Sequence, residues 1–255
     1  MSASRLFSPL PDLIAQRGNS EDYPENTLPA LRSALELGAR HLQFDVQLTA
    51  DRRPVLLNDA NLKRMAGLNR NALEMTWREL VEIAVTEPER FGDKYSDIGV
   101  PMLAQAASLL GTHPAVTAFV EIKRASLRVF GAEVVVRKIC EVLKPVVRQC
   151  VLVSRDLTAV HQVRQLSSCR VGWILSEYSN LSALKSEALV PDYLLCDHEL
   201  LTETNAQLWR GPWRWAIHNV TSREAAAQLA TRGARLVGTT SFRKVLREFR
   251  SARAS

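Results

Sequence analysis

The chain has 255 residues, of which 46% are hydrophobic and 24% charged, with a formal net charge of +6. This composition excludes a disordered protein and suffices for one large core, so we expect a single domain over residues 1–255. No run approaches the roughly 18–20 apolar residues that span a bilayer, and the N-terminus lacks the apolar core of a secretory signal. The four scattered cysteines predict buried free thiols and a cytoplasmic protein.

Short apolar, β-branched runs alternate with helical patterns from the start of the chain. Strands are predicted at Leu13–Gln16 and His41–Leu48, with a short extended run at Pro54–Leu57. Between the first two lies a predicted helix at Thr27–Leu37. The polar, irregular stretch that follows predicts an insertion after the second strand, over roughly residues 50–100. Its one predicted helix is Thr76–Ile83.

The second half of the chain alternates more regularly. Its predicted strands are Thr117–Lys123, Cys150–Ser154, Val171–Leu175, Tyr193–Cys196, Arg214–His218 and Arg235–Thr239. Its predicted helices are Pro101–Leu110, Leu127–Leu143, Leu157–Leu166, Leu181–Ala188, Thr204–Trp209, Ser222–Arg232 and a basic tail helix. Eight strands, each followed by a helix, predict an α/β protein with a (β/α)8 TIM barrel, and an open doubly wound sheet is the alternative.

Polar residues gather where the predicted strands end. In a barrel, this end carries the active site. Gln43 and Asp45 are two residues apart, as are Glu121 and Lys123, so each pair points to one side of its strand. Together with Gln16, Arg17, Ser154, His198 and His218, they predict a polar pocket at the barrel mouth.

Five short motifs, in one order and spacing, resemble the signature of the glycerophosphodiester phosphodiesterase family. They are Gln16-Arg17-Gly18, Pro24-Glu25-Asn26-Thr27, Gln43-Phe44-Asp45, Asn58-Asp59 and Glu121-Ile122-Lys123. The family has His-Arg-Gly, Pro-Glu-Asn-Thr, Glu-x-Asp, His-Asp and Glu-x-Lys at these places. The resemblance implies a TIM barrel of the phospholipase C-like phosphodiesterase type, which hydrolyses glycerophosphodiesters to glycerol phosphate and an alcohol.

The resemblance also implies a role for each matched residue. Arg17 and Lys123 would hold phosphate oxygens, and both are cationic at pH 7. Asp45 and Glu121 would be ligands of a divalent cation, with Gln43 in place of a third carboxylate. Because glutamine lacks the negative charge of glutamate, we expect at most weak binding of Mg²⁺ or Ca²⁺.

Gln16 and Asn58 occupy the positions of the two histidines that serve the family as general acid and base. Imidazole exchanges protons near neutral pH, whereas an amide only donates and accepts hydrogen bonds. Losing one acid–base group lowers a rate by about 10²–10⁴. We therefore predict a degenerate family member with weak or no hydrolysis that keeps a pocket for a phosphodiester or another small phosphorylated ligand.

Two alternatives stay open. His198 and His218, just past predicted strands six and seven, could supply relocated acid–base chemistry in an active phosphoric diester hydrolase of lipid metabolism. Alternatively, the barrel displays its basic C-terminal helix as an interaction module for a protein partner. The basic residues of that helix are Arg243, Lys244, Arg247, Arg250 and Arg253. We expect this helix to present a solvated face and to bind no nucleic acid.

Overall fold

The structure, a computed structural model, describes residues 10–201 and 207–254, in which eight parallel strands close into a barrel surrounded by helices. The strands are β1 (Asp12–Gln16), β2 (His41–Leu48), β3 (Pro54–Leu56), β4 (Thr117–Ile122), β5 (Cys150–Ser154), β6 (Arg170–Ile174), β7 (Tyr193–Asp197), β8 (Arg214–His218) and β9 (Leu236–Thr239). β1 pairs in parallel with both β9 and β2, which closes the sheet and confirms the predicted (β/α)8 barrel. β3 is the exception, since it runs antiparallel to β2.

Helices cover the outside of the barrel. They are α1 (Leu28–Glu36), α2 (Lys63–Ala66), α3 (Trp77–Leu80), α4 (Pro88–Phe91), α5 (Leu103–Gly111), α6 (Arg124–Phe130), α7 (Ala132–Leu143), α8 (Leu157–Leu166), α9 (Asn180–Leu189), α10 (Arg223–Thr231) and α11 (Phe242–Ala254). Side-chain oxygens of Thr27, Asp156, Ser179 and Ser222 accept backbone hydrogen bonds at the starts of α1, α8, α9 and α10. These caps explain where the four helices begin.

The barrel interior is filled by inward-pointing residues from several strands. They are Ile14, Phe119, Val151, Val153, Ile174, Tyr193, Leu195, Ala216 and Leu236, all at most 4% exposed. Side chains alternate across a strand, so residues two positions further along point to the same side. Gln16, Glu121, Asp197 and His218 therefore continue the inward rows at the C-terminal end of the barrel.

Two predicted helices differ in the structure. The continuous helix predicted over Leu127–Leu143 is wrong, because Gly131 takes a left-handed φ of 80° that ends α6 and separates it from α7. The helix predicted at Thr204–Trp209 lies partly outside the described residues. Residues 207–209 are irregular, and a 3-10 turn at His198–Leu201 follows β7 instead.

Between β2 and α5 the chain forms β3 and the short helices α2, α3 and α4. Apolar side chains of this stretch make a small core of their own, formed by Val55, Leu57, Leu62, Met65, Ala72, Met75, Leu80, Val85 and Val100. Thr76 and Glu79 form a capping box that starts α3. The stretch carries Arg64, Glu87 and Arg90 to the barrel mouth, where all three contact residues of the β1–α1 loop or of one another.

α11 packs on the barrel through Phe242, Val245 and Phe249, which are buried. Its basic side chains also contact the barrel, since Arg243 forms a 2.6 Å ion pair with Asp22 and Arg250 donates to the carbonyl oxygen of Leu37 at 2.8 Å. No helix within the described ranges combines the length and the apolar character needed to cross a bilayer.

The cysteines are free thiols in protected positions. Cys150, Cys169 and Cys196 are buried and Cys140 is half-buried. Burial raises the pKa of the Cys150 and Cys196 thiols to about 12, so both are protonated and unreactive near neutral pH. The prediction of buried free thiols holds for these residues.

Candidate functional site

An ion cluster lies at the C-terminal ends of β1, β2 and β4. Arg17 Nε is 3.0 Å from Asp45 Oδ2, and Lys123 Nζ is 2.9 Å from Glu121 Oε1 and 3.6 Å from Asp45 Oδ1. Asp45 is fully buried, while Arg17 and Lys123 keep 28% and 20% of their side chains exposed. The structure therefore brings together the four charged residues that the sequence placed at the mouth, with both cations still open to solvent.

The carboxylate of Asp45 has an almost complete set of partners. Asn26 Nδ2 donates to Oδ2 at 2.9 Å, and Gln43 Nε2 donates to Oδ1 at 3.0 Å. The backbone N–H of Asp45 in turn donates to Asn26 Oδ1 at 3.0 Å. The Gln43 carbonyl oxygen, at the other end of the same amide, is buried and has no hydrogen-bond partner among the described residues.

The charges of the cluster shift one another's pKa values. Burial alone would raise the pKa of Asp45, but Lys123, Arg17 and the Asn26 hydrogen bond outweigh it and hold that pKa below the ordinary value. Burial and the neighbouring Asp45 charge raise the pKa of Glu121. For Lys123, attraction to the two carboxylates outweighs burial, so its pKa is raised. Arg17 and Lys123 are therefore permanent cations at neutral pH.

The loop after β1 is held in an unusual conformation that aims Arg17 at the mouth. Arg17 has a left-handed φ of 57°, and its backbone N–H donates to the Gln43 carbonyl at 2.7 Å. Gly18 follows with φ 82°, and a Cβ there would lie 2.5 Å from the backbone carbon of Ala30. Only glycine fits so close an approach between this loop and α1. Left-handed non-glycine residues cost about 1–3 kcal/mol and concentrate at functional sites.

Gln16 is used as a hydrogen-bond acceptor. Its Oε1 accepts from the backbone N–H of Asn219 at 2.9 Å, across β9. The side chain passes over Gly238, where a Cβ would come within 2.9 Å of Gln16 Cδ. Gln16, which the sequence resemblance predicts to stand at the first histidine position, thus ties the end of β1 to the end of β8.

Asn58, which the sequence resemblance predicts to stand at the second histidine position, lies beside a network of ion pairs. Its Nδ2 donates to Asp59 Oδ1 at 3.2 Å, and Asp59 Oδ2 accepts from Arg64 Nε at 2.6 Å. Arg64 also binds Glu25 at 2.6 Å, and Glu25 binds Arg17 at 2.8 Å. A chain of charges therefore runs from Asn58-Asp59 to Arg17.

The network extends into the stretch between β2 and α5. Glu87 is 2% exposed and accepts from Arg64 at 3.0 Å and from Arg90 at 2.8 Å. Its pKa is raised, first by burial, although Arg90 opposes this. A cleft of about 370 Å³ opens here; its lining residues are Ser20, Glu21, Glu25, Arg64, Glu87, Arg90, Thr240 and Ser241.

The two histidines considered for relocated chemistry lie in different surroundings. His218 is 7% exposed, continues the inward row of Ala216, and pairs in register with Asp197. Its Nε2 is buried and has no hydrogen-bond partner within the part of the chain that the structure describes. His198 lies on the 3-10 turn after β7, and no described hydrogen bond or ion pair joins it to the charge cluster.

His218 should make the protein sensitive to acid. Burial, with Arg155 adding to it, lowers the pKa of His218 to about 4 from 6.5. Between these two values the unfolded chain binds a proton that the folded chain does not, so stability present above pH 6.5 is lost as the pH falls toward 4. We expect His218→Gln to reduce the loss of unfolding free energy between neutral and mildly acidic pH by roughly 2–3 kcal/mol.

Urea denaturation at several pH values measures this effect. The control is His161→Gln, because His161 is exposed on α8. An unchanged pH dependence in His218→Gln would contradict the prediction.

Arg155 and Asp197 lie near the mouth and, like Arg64, Glu87 and Arg90, were not identified from the sequence. Arg155 directly follows β5; its charge opposes the rise in the pKa of Glu121 and adds to the fall in the pKa of His218. Asp197 ends β7 and its Oδ2 accepts from Asn219 Nδ2. Arg155 lies just after a strand, and this is the same signal that singled out Ser154. The Ser154 hydroxyl does not face the ion cluster as a donor but donates to the Ile122 carbonyl at 3.0 Å.

Comparison with known proteins agrees with this geometry. The model of the glycerophosphoryl diester phosphodiesterase family matches residues 17–234. The chain belongs to this family. Glycerophosphodiester phosphodiesterase 1 of Rattus norvegicus is 31% identical over 110 residues, which are 43% of this chain and 33% of that protein. The glycerophosphodiester phosphodiesterase of Caldanaerobacter subterraneus is 33% identical over 99 residues, 39% of this chain and 40% of that one. The chain thus matches less than half the length of either relative.

Solved structures of the family share the fold over nearly the whole chain. A phosphodiesterase of Oleispira antarctica, in complex with its product sn-glycerol-3-phosphate, superposes with a TM-score of 0.80 at 21% identity and covers 96% of this chain and 98% of its own. A glycerophosphodiester phosphodiesterase of Parabacteroides distasonis gives a TM-score of 0.75 at 17% identity, covering 96% and 98%. Identities this low support the fold alone.

The donor set does not fit the family's divalent cation as it stands. Gln43 presents an N–H group to Asp45, and the Lys123 ammonium lies between Asp45 and Glu121. A hard cation needs oxygen donors at these places. Among the described residues, no three or more His, Cys, Asp or Glu side chains are grouped as metal ligands would be. Weak or absent binding of Mg²⁺ or Ca²⁺ at Asp45, Glu121 and Gln43 remains a prediction.

Proposed function

We propose that this protein binds a glycerophosphodiester or a related glycerol phosphate through Arg17 and Lys123, and hydrolyses it slowly or not at all. The observation that carries the proposal is the pair of amides, Gln16 and Asn58, at the positions of the family's acid–base histidines. Neither amide titrates near neutral pH. Gln16 Oε1 is also committed to the backbone of Asn219.

The two cations support ligand binding without catalysis. Arg17 and Lys123 remain charged and partly exposed, and each lies against one carboxylate oxygen of the buried Asp45. A phosphate group needs such donors and no proton transfer to bind. The product complex of the Oleispira antarctica relative supplies the natural test ligand, sn-glycerol-3-phosphate.

Removing either cation should weaken binding of sn-glycerol-3-phosphate. Hydrogen bonds to charged groups contribute about 1.5–3 kcal/mol, so Arg17→Gln and Lys123→Gln should each raise the dissociation constant by roughly 10–100-fold. Titration calorimetry measures the change. Arg32→Gln is the matched control, because Arg32 is exposed on α1. If both mouth variants bound sn-glycerol-3-phosphate as tightly as the control does, the phosphate-site proposal would be wrong.

Turnover assays separate binding from hydrolysis. The natural sequence should show no appreciable hydrolysis of glycerophosphodiesters with Mg²⁺, Mn²⁺ or Ca²⁺, although Arg17 and Lys123 could stabilise developing charge and allow slow residual turnover. Hydrolysis at a typical enzymatic rate of about 1–10³ per second would instead favour an active phosphodiesterase.

An active enzyme is the second candidate, and the position of His218 in the inward row at the end of β8 favours it. The imidazole is neutral at pH 7 because its pKa is about 4, so it could accept a proton only weakly. Loss of turnover in His218→Ala, or in His198→Ala, would establish relocated acid–base chemistry. The third candidate, an interaction module built on α11, has less to support it, since Arg243 and Arg250 already bind the barrel.

A further inference from the structure

Five arginines surround the end of the barrel opposite the mouth. This arginine ring consists of Arg40 just before β2, Arg148 two residues before β5, Arg170 at the start of β6, Arg214 at the start of β8 and Arg235 just before β9. Parallel strands in a closed barrel all begin at the same end. The ring therefore lies on one face, far from the residues proposed to bind phosphate.

The ring carries unbalanced charge. Arg40, Arg148, Arg214 and Arg235 are exposed, and within the described residues no member of the ring forms an ion pair. Arg170 donates to the Tyr193 hydroxyl at 3.4 Å and to the Arg148 carbonyl at 3.3 Å, both uncharged acceptors. The arginines of the mouth behave differently, since Arg17, Arg64 and Arg90 all bind carboxylates.

Two aspartates at the strand starts reduce the charge only in part. Asp192 accepts a hydrogen bond from the Val171 backbone at 2.8 Å, and Asp12 lies 3.7 Å from His41 Nε2. The C-terminal ends of α1, α8 and α10 point to this face, and their dipoles favour nearby cations. The dipoles explain how the fold tolerates the arginine ring, yet the guanidinium groups of the ring remain available to an external anion.

We propose that the arginine ring docks the protein on an anionic membrane surface. A ring around the end of a barrel can touch a flat, negatively charged surface at several points together, whereas a nucleic-acid strand follows a groove or stripe. Apolar side chains lie at the same end, with Leu166 at the end of α8 and Val190 at the end of α9 both exposed. Apolar groups beside cations suit the interfacial layer of a bilayer. In this orientation the mouth faces the water, open to a soluble phosphodiester.

Co-sedimentation with vesicles tests the proposal. The full chain should bind vesicles of phosphatidylcholine mixed with phosphatidylserine, should not bind vesicles of phosphatidylcholine alone, and should dissociate as salt is raised. Each arginine near an anionic surface strengthens partitioning by about fivefold. The variant with Arg40, Arg148, Arg214 and Arg235 all changed to glutamine should therefore partition roughly 10²-fold or more weakly.

The control removes the same number of charges elsewhere. Arg32, Arg78, Arg124 and Arg128 are exposed outside the ring, and the variant with all four changed to glutamine should keep most of the binding. Circular dichroism confirms folding of both variants. Equal losses in the two variants, binding to neutral vesicles, or no vesicle binding by the natural sequence would each overturn the proposal. Ring-dependent binding to a single-stranded RNA in place of vesicles would assign the face to nucleic acid instead.

Discussion

The triple variant Gln16→His, Gln43→Glu, Asn58→His is expected to hydrolyse glycerophosphodiesters about 10²–10⁴ times faster than the natural sequence when Mg²⁺ or Ca²⁺ is supplied. The two imidazoles would restore groups that exchange protons near neutral pH. Glutamate at position 43 would remove the N–H group that now occupies Asp45 Oδ1 and would return a carboxylate to the cation site. A coupled assay for released glycerol phosphate measures the rate.

Single and double variants show which function was lost. Gln43→Glu alone should strengthen cation binding in calorimetry without restoring turnover, and Gln16→His with Asn58→His should respond little to the metal. A natural sequence that already matches the rate of the triple variant would contradict the proposed loss of activity.

Asp45→Ala is expected to destabilise the fold by about 3–5 kcal/mol, because it removes the common, fully buried partner of two half-buried cations. Each cation would keep one carboxylate partner, Glu25 for Arg17 and Glu121 for Lys123. The side-chain N–H groups of Asn26 and Gln43 would lose their acceptor. Unpaired buried donors add to the loss. Urea denaturation at neutral pH gives the change in unfolding free energy.

Glu133→Ala provides the matched control. Glu133 forms a 2.5 Å ion pair with Arg137 on the exposed face of α7, and exposed pairs of this kind contribute only about 0.3–0.5 kcal/mol. If Asp45→Ala were no more destabilising than Glu133→Ala, the cluster would not be a structural part of the mouth.

The closed barrel could be predicted from the sequence because strand and helix patterns alternate with the correct count. The positions of the elements depend on local signals, such as β-branched runs for strands and Thr27 as a helix cap. The errors have local causes as well. Gly131 lies inside an apolar helical pattern that predicts one long helix, yet it divides that helix into α6 and α7.

The grouping of Arg17, Asp45, Glu121 and Lys123 followed from their positions at strand ends. The ion pair between Arg64 and Glu25, and the hydrogen bond that the Glu25 backbone N–H donates to Glu87, could not be predicted, since they link residues 39 and 62 positions apart through a stretch without regular periodicity. The orientation of the Gln43 amide also needed coordinates. Only the neighbouring acceptor, Asp45, determines which end of that amide faces the cluster.

The bond from Gln16 to Asn219 affects how related sequences should be compared. It spans β9, relies on the missing side chain of Gly238, and helps hold the ends of three strands in place. Natural selection for a stable barrel would preserve a glutamine in this position whether or not anything enters the mouth. If related sequences keep Gln16 and Gly238 together, this therefore indicates selection on folding. If they keep Arg17 and Lys123, this indicates selection on ligand binding.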